Sequence, residues 1–91
     1  MRKIENVVVL NLGTQAQTVC VQSLACLVQN NGQSAVFFKE KRFDGVDAAA
    51  DNGYRLGPGE ATSVPLTALD LSLVSDSGTN DVRVLVLDEY G

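Results

Sequence analysis

Few side chains in this sequence have the type and spacing for chemistry, and they do not gather into a reacting set. Carboxylates stand close together twice, as Asp44 with Asp47 and as Asp88 with Glu89. A pair of carboxylates can run glycoside hydrolysis, one serving as acid and the other as base or nucleophile. Adjacent or loop-borne acids in a small acidic domain are ordinarily solvated surface, and these read that way. The chain has no histidine, which removes the commonest general base, the commonest metal ligand and the usual pH switch together. Ser-His-Asp and Cys-His arrangements are therefore impossible. Cys20 and Cys26 have no base or cation near them in sequence to form thiolate.

Asp76-Ser77-Gly78-Thr79-Asn80-Asp81 offers oxygen ligands at short spacing. It lacks the terminal bidentate acid of a calcium loop, so a turn in which Asp76 and Asn80 bond their own backbone is the expectation. No Lys-Ser/Thr follows Gly57-Pro58-Gly59, so that segment is not a phosphate loop. The predicted catalytic, cofactor and metal sets are all empty, and the chain reads as a non-enzyme.

The elements that would carry any site are short. Ninety-one residues make one domain, 1–91. The net charge of −4 disfavours broad contact with a phosphate backbone, so nucleic acid is not expected as a partner. No stretch is long enough to span a bilayer as a helix, and no membrane partner is expected. The run from Val7 to Leu10 is too short, and too closely preceded by Glu5 and Asn6, for a signal peptide. On one straight strand the two cysteines would lie ~20 Å apart, too far to bridge. Two reduced, largely buried thiols in a reducing cytosol are the expectation.

Gly57-Pro58-Gly59 is the corner on which the chain turns. Proline presets φ at the second position of a β-turn and the following glycine accepts the positive φ of type II. Ile4 to Leu12 is β-branched and apolar on both faces, as in a strand covered on both sides. Thr18 to Gln29 admits helical spacing, but missing caps and recurring β-branched residues favour strand. Asn30-Asn31-Gly32-Gln33 predicts a type I′ hairpin returning through Ser34 to Phe43. Lys39, Lys41 and Arg42 form a solvated strand end.

Asp44 to Gly53 is a long loop. Ala61 to Thr67 holds Pro65 and so belongs at a sheet edge or a bulge. Leu69, Leu71 and Leu73 alternate with Asp70 and Ser72, the pattern of a half-buried strand. Asp81 to Tyr90 is a central strand that pairs with the first. The fold class predicted is all-β, a small antiparallel β-sandwich or partly closed barrel of about seven strands.

Three segments, Asn30 to Glu40, Tyr54 to Glu60 and Val82 to Val86, carry a resemblance. Together they resemble small structural proteins of tailed bacteriophages: a turn and a strand ending in an aromatic, a variable loop, a Pro-Gly corner, and a closing Val-rich strand. The resemblance spans about the last two-thirds of the chain and brings no catalytic motif. It implies a β-sandwich that decorates or cements the capsid surface, with the major capsid protein and copies of itself as partners. It also implies assembly in the host cytoplasm and residence on the virion. The alternatives are a tail, baseplate or fibre adaptor, a host-surface or carbohydrate-binding module, and a cellular β-sandwich binding domain. The candidate contact residues are Arg2 and Lys3, as an N-terminal arm, with Phe43 and Tyr90 held back from an otherwise buried aromatic set.

Overall fold

The computed structural model describes residues 2–21, 25–41, 44–65 and 69–89, and at 2–6, 21, 65, 69 and 87–89 only their backbone. Eight strands are present among these residues: β1 (Arg2–Leu12), β2 (Gln17–Val21), β3 (Ala25–Asn30), β4 (Val36–Glu40), β5 (Tyr54–Leu56), β6 (Ala61–Pro65), β7 (Leu69–Ser75) and β8 (Asn80–Glu89). They form two four-stranded antiparallel sheets, ordered β1-β8-β3-β6 and β2-β7-β4-β5. Apart from β4 and β5, every two consecutive strands lie in different sheets, so the chain winds between the layers as in a jelly roll. The sheets stay open at their edges, which selects the sandwich over the barrel.

Between the layers lies one core of alternate side chains. Val82 and Val84 from β8, Cys26 and Val28 from β3, and Leu12 from β1 meet Leu71 and Leu73 from β7, Val36 and Phe38 from β4, Val19 from β2 and Leu56 from β5. The closing strand is central and pairs with the first, from Arg2↔Glu89 to Leu12↔Asn80. Pro65 sits in β6, an edge strand, where a missing donor is tolerated. Glu60 N–H donates to Gly57 O at 3.1 Å, and Gly59 has φ 77°. That is the type II turn predicted at the corner.

Four expectations are corrected. The first strand is not covered on both sides. It is a sheet edge, and Val7 and Val9 are 46% and 57% exposed. Thr18 to Gln29 is not one strand, since β2 and β3 belong to opposite sheets. Asn30 to Gln33 is not a type I′ hairpin. The chain there passes from sheet to sheet, and no positive φ occurs at Asn31 or Gly32, whereas type I′ requires two. Finally, Ser72 in β7 is fully buried, because the loop after β4 covers the outer face of its sheet.

Two buried amides replace the predicted hairpin chemistry. Asn30 Nδ2 donates to Ser34 O (2.9 Å) and Leu56 O (3.1 Å), and its Oδ1 accepts from Gly32 N–H (2.9 Å). Asn80 does not bond its own backbone. Its Oδ1 accepts from the N–H groups of Gln33 (3.0 Å) and Ser34 (3.2 Å), and its Nδ2 donates to the hydroxyls of Ser34 (2.7 Å) and Ser75 (2.6 Å). These side chains tie together the connectors that cross between layers, where no ladder can satisfy the backbone.

Candidate functional site

Two outer faces carry the recognisable surface features. On the β1-β8-β3-β6 sheet, β-strand alternation that sends Val8, Val84 and Cys26 inward sends their neighbours outward. Register then lines up Val7 (β1), Leu85 (β8) and Leu27 (β3) across three strands. The next row is Val9, Arg83 and Gln29, and Asn11 faces Asp81 beyond it. Arg83 pairs with Asp81 at 3.3 Å. The face is thus apolar across one row, mixed at the next where Val9 sits beside Arg83 and Gln29, and polar at Asn11 and Asp81 beyond it, and it runs out to the unpaired edge of β1.

On the other sheet the outer face is covered. Thr18, Ser72 and Lys39 share one row, and Val74, Phe37 and Arg55 share another. The loop of residues 44–53 lies across them. Lys39 Nζ bonds both Asp44 carboxylate oxygens (3.0 and 2.9 Å) and Val46 O (2.8 Å), while Lys41 Nζ reaches Asp47 Oδ1 at 3.0 Å. Ala48 N–H donates to the buried Ser72 hydroxyl at 2.9 Å, and Ala48 itself is buried against Phe37 and Val74. Within the loop, Ala49 N–H donates to Asn52 Oδ1 (2.7 Å) and Asn52 Nδ2 to Asp47 O (3.1 Å). The lysines read as a solvated strand end are therefore straps.

These contacts set the two carboxyls. The Val46 N–H and the Lys39 ammonium hold Asp44 below its ordinary value, and the Lys41 ammonium does the same for Asp47. Because the folded values are depressed, the strapping is fully present above the ordinary aspartate range and is lost as pH falls through the folded values. The Ala48 amide NMR signal is accordingly expected to stay fixed from neutral pH down to about pH 5 and to move only below ~4. A transition at pH 6 would refute the strap.

Beside the loop is a pocket of about 280 Å³, floored by Phe37 and Val74, walled by Ala16, Ala48 and Ala49, with Asp76 at its mouth. Sequence reading missed it, because its walls come from three connectors that only the fold assembles.

Both cysteines are free. Cys26 is in the core, but Cys20 is exposed, against expectation, because β2 is an edge strand and Cys20 lies on its outer face. Its thiol donates to Asp70 Oδ1 at 3.2 Å. That hydrogen bond, and then the carboxylate's charge, hold the Cys20 thiol above its ordinary value, while burial does so for Cys26. Less thiolate means slower alkylation. Asp70→Asn is expected to speed iodoacetamide labelling of Cys20 severalfold at pH 8, and an unchanged rate would remove Asp70 from that role.

Of the predicted contact residues, Arg2 and Lys3 do not form a free arm: the β1 backbone places them opposite Glu89 and Asp88. Their side chains, and Phe43 and Tyr90 altogether, lie outside the described residues. Asp44 and Asp47 meet lysines, not each other. Among the described residues no group of three or more acidic or cysteine side chains is placed to hold a metal ion.

No protein-family model and no curated protein matches the chain. Among solved structures it is similar to a de novo designed double-stranded β-helix determined in solution by NMR, at 16% identity and a TM-score of 0.54. The match covers 91% of this chain and 96% of the designed one. At that identity the likeness is one of fold alone.

Proposed function

We propose that this chain is a structural virion protein of a tailed bacteriophage that binds the outer capsid surface as a decoration protein. The observation that carries this reading is the apolar row Val7, Leu85 and Leu27 with exposed Val9 beside it, bordered by Asn11, Asp81, Arg83 and Gln29. Apolar side chains bordered by polar ones are the anatomy of a protein contact surface, and these sit on one face of a four-stranded sheet. The resemblance of the Asn30 to Glu40, Tyr54 to Glu60 and Val82 to Val86 segments to phage structural proteins supplies the partner. A small contact repeated over a symmetric shell gains by avidity what it lacks singly.

A carbohydrate-binding role draws less support. Tyr54, 62% exposed at the β5 edge, is the one exposed large aromatic among the described residues, and a sugar platform needs more than one ring. The test is co-sedimentation with shells assembled from the major capsid protein. The wild-type chain is expected to pellet with them, and Val7→Lys with Val9→Lys, folded by circular dichroism, to stay in the supernatant. Shells recovered without the wild-type chain would sink the reading.

A further inference from the structure

A second contact surface follows from charges left over on the strapped sheet. Among the described side chains, three of the four cations are in ion pairs: Lys39 with Asp44, Lys41 with Asp47 and Arg83 with Asp81. The fourth, Arg55, has no ion pair. It is exposed on β5, the free edge of the sheet, on the same outer face as Phe37. Asp76, at the mouth of the pocket, is exposed and likewise without an ion pair among the described residues.

The pocket itself has an apolar floor, one carboxylate and no described cation. At about 280 Å³ it is just below the ~300–1,000 Å³ of small-molecule sites, a size for one long side chain. An arginine meets both demands, with an apolar stem for Phe37, Val74 and Ala48 and a planar fork for the carboxylate.

We propose that Arg55 of one copy enters this pocket on a second copy and pairs with its Asp76, so that the chain associates head to tail. In that head-to-tail arrangement the contact is heterologous and closes into a ring when the rotation allows. It brings the free β5 edge of one copy toward the side of the next from which Ala16 leads into β2, the other free edge of the same sheet. Tyr54, whose ring meets Phe38 at a 60° tilt with 5.4 Å between centroids and is otherwise open to solvent, lies beside Arg55 on that edge. The contact does not depend on the capsid reading and needs no shell.

Sedimentation velocity of the purified chain, without shells, tests it. The wild type is expected to exceed monomer mass in a concentration-dependent way, and Arg55→Glu and Asp76→Arg each to raise the dissociation constant by at least about tenfold. Mixing the two single variants should restore assembly to within about threefold. In the mixture, the carboxylate introduced at position 55 of one variant meets the guanidinium introduced at position 76 of the other. The unchanged Arg55 of the second variant meets the unchanged Asp76 of the first. Both positions are exposed, and circular dichroism checks that each variant is folded. A wild type that remains monomeric at roughly 1 mM, or a mixture that fails to reassemble, would overturn the proposal. The mixture separates a contact between copies from an internal Arg55–Asp76 pair, which only a double variant of one chain could restore.

Discussion

Asn80→Ala is expected to lower the unfolding free energy by about 3–4 kcal/mol, measured by urea denaturation. The Asn80 amide makes four hydrogen bonds, two as donor and two as acceptor, which is its full capacity. The hydroxyls of Ser34 and Ser75 already donate to Ser77 O, so they lose only an incoming bond. The N–H groups of Gln33 and Ser34 lose their acceptor, and each partly buried group left so costs ~1–3 kcal/mol. For a 91-residue chain, total stability is on the order of 5–14 kcal/mol, so the variant sits near the folding threshold. A loss under 1 kcal/mol would show that water replaces the amide and that the connectors hold without it.

The second large effect is at Gly32, and it tests the same contact from the other side. A Cβ added there would overlap the Asn80 side chain, whereas one added at Gly13 would meet nothing within 4 Å. Neither glycine has positive φ, so the difference is one of space. Gly32→Ala is expected to cost ~2–3 kcal/mol, the range of overpacking, and Gly13→Ala to stay within about 0.5 kcal/mol. Combined with Asn80→Gly, which removes both the amide and the Cβ that the new methyl group would overlap, the cost of Gly32→Ala should fall below ~1 kcal/mol. Measuring every variant in the same stabilising osmolyte keeps the weakest one folded. Additive costs would mean that Gly32 is required for some other reason.

Much of the fold was legible because apolar alternation is a direct record of which face is buried. Val82, Val84 and Val86 placed β8 as a central strand, Pro65 sent β6 to an edge, and Gly57-Pro58-Gly59 specified its turn type. What misled was the assumption that neighbours in sequence are neighbours in a sheet. Asn-Gly at positions 31 and 32 carries the local chemistry of a hairpin, yet the connection crosses between layers. A signal for this was present: Asn30 falls in phase with inward Cys26 and Val28, and Asn80 with inward Val82 and Val84. A polar amide on the buried phase must find partners, and those partners lie off its own strand.

The site was less legible for the same reason. Lys39 and Lys41 alternate toward solvent like any strand end, and only the returning loop turns them into straps. Val7 and Val9 read as core because nothing in β1 itself says that its outer face is bare.

The pairing of β1 with β8 has a consequence for biosynthesis. Of the eight strands, the one made first finds its permanent neighbour in the one made about eighty residues later. At ~5–20 residues per second, Val7 and its flanking valines wait on the order of 4–16 s beside a growing polypeptide with nothing to zip against. No adjacent-strand ribbon can shelter them, because all successive strands but β4 and β5 part company between layers. Translation speed and chaperone access during that interval therefore govern yield, and a stop codon before Val82 leaves a nascent product with a bare valine edge, the kind that aggregates.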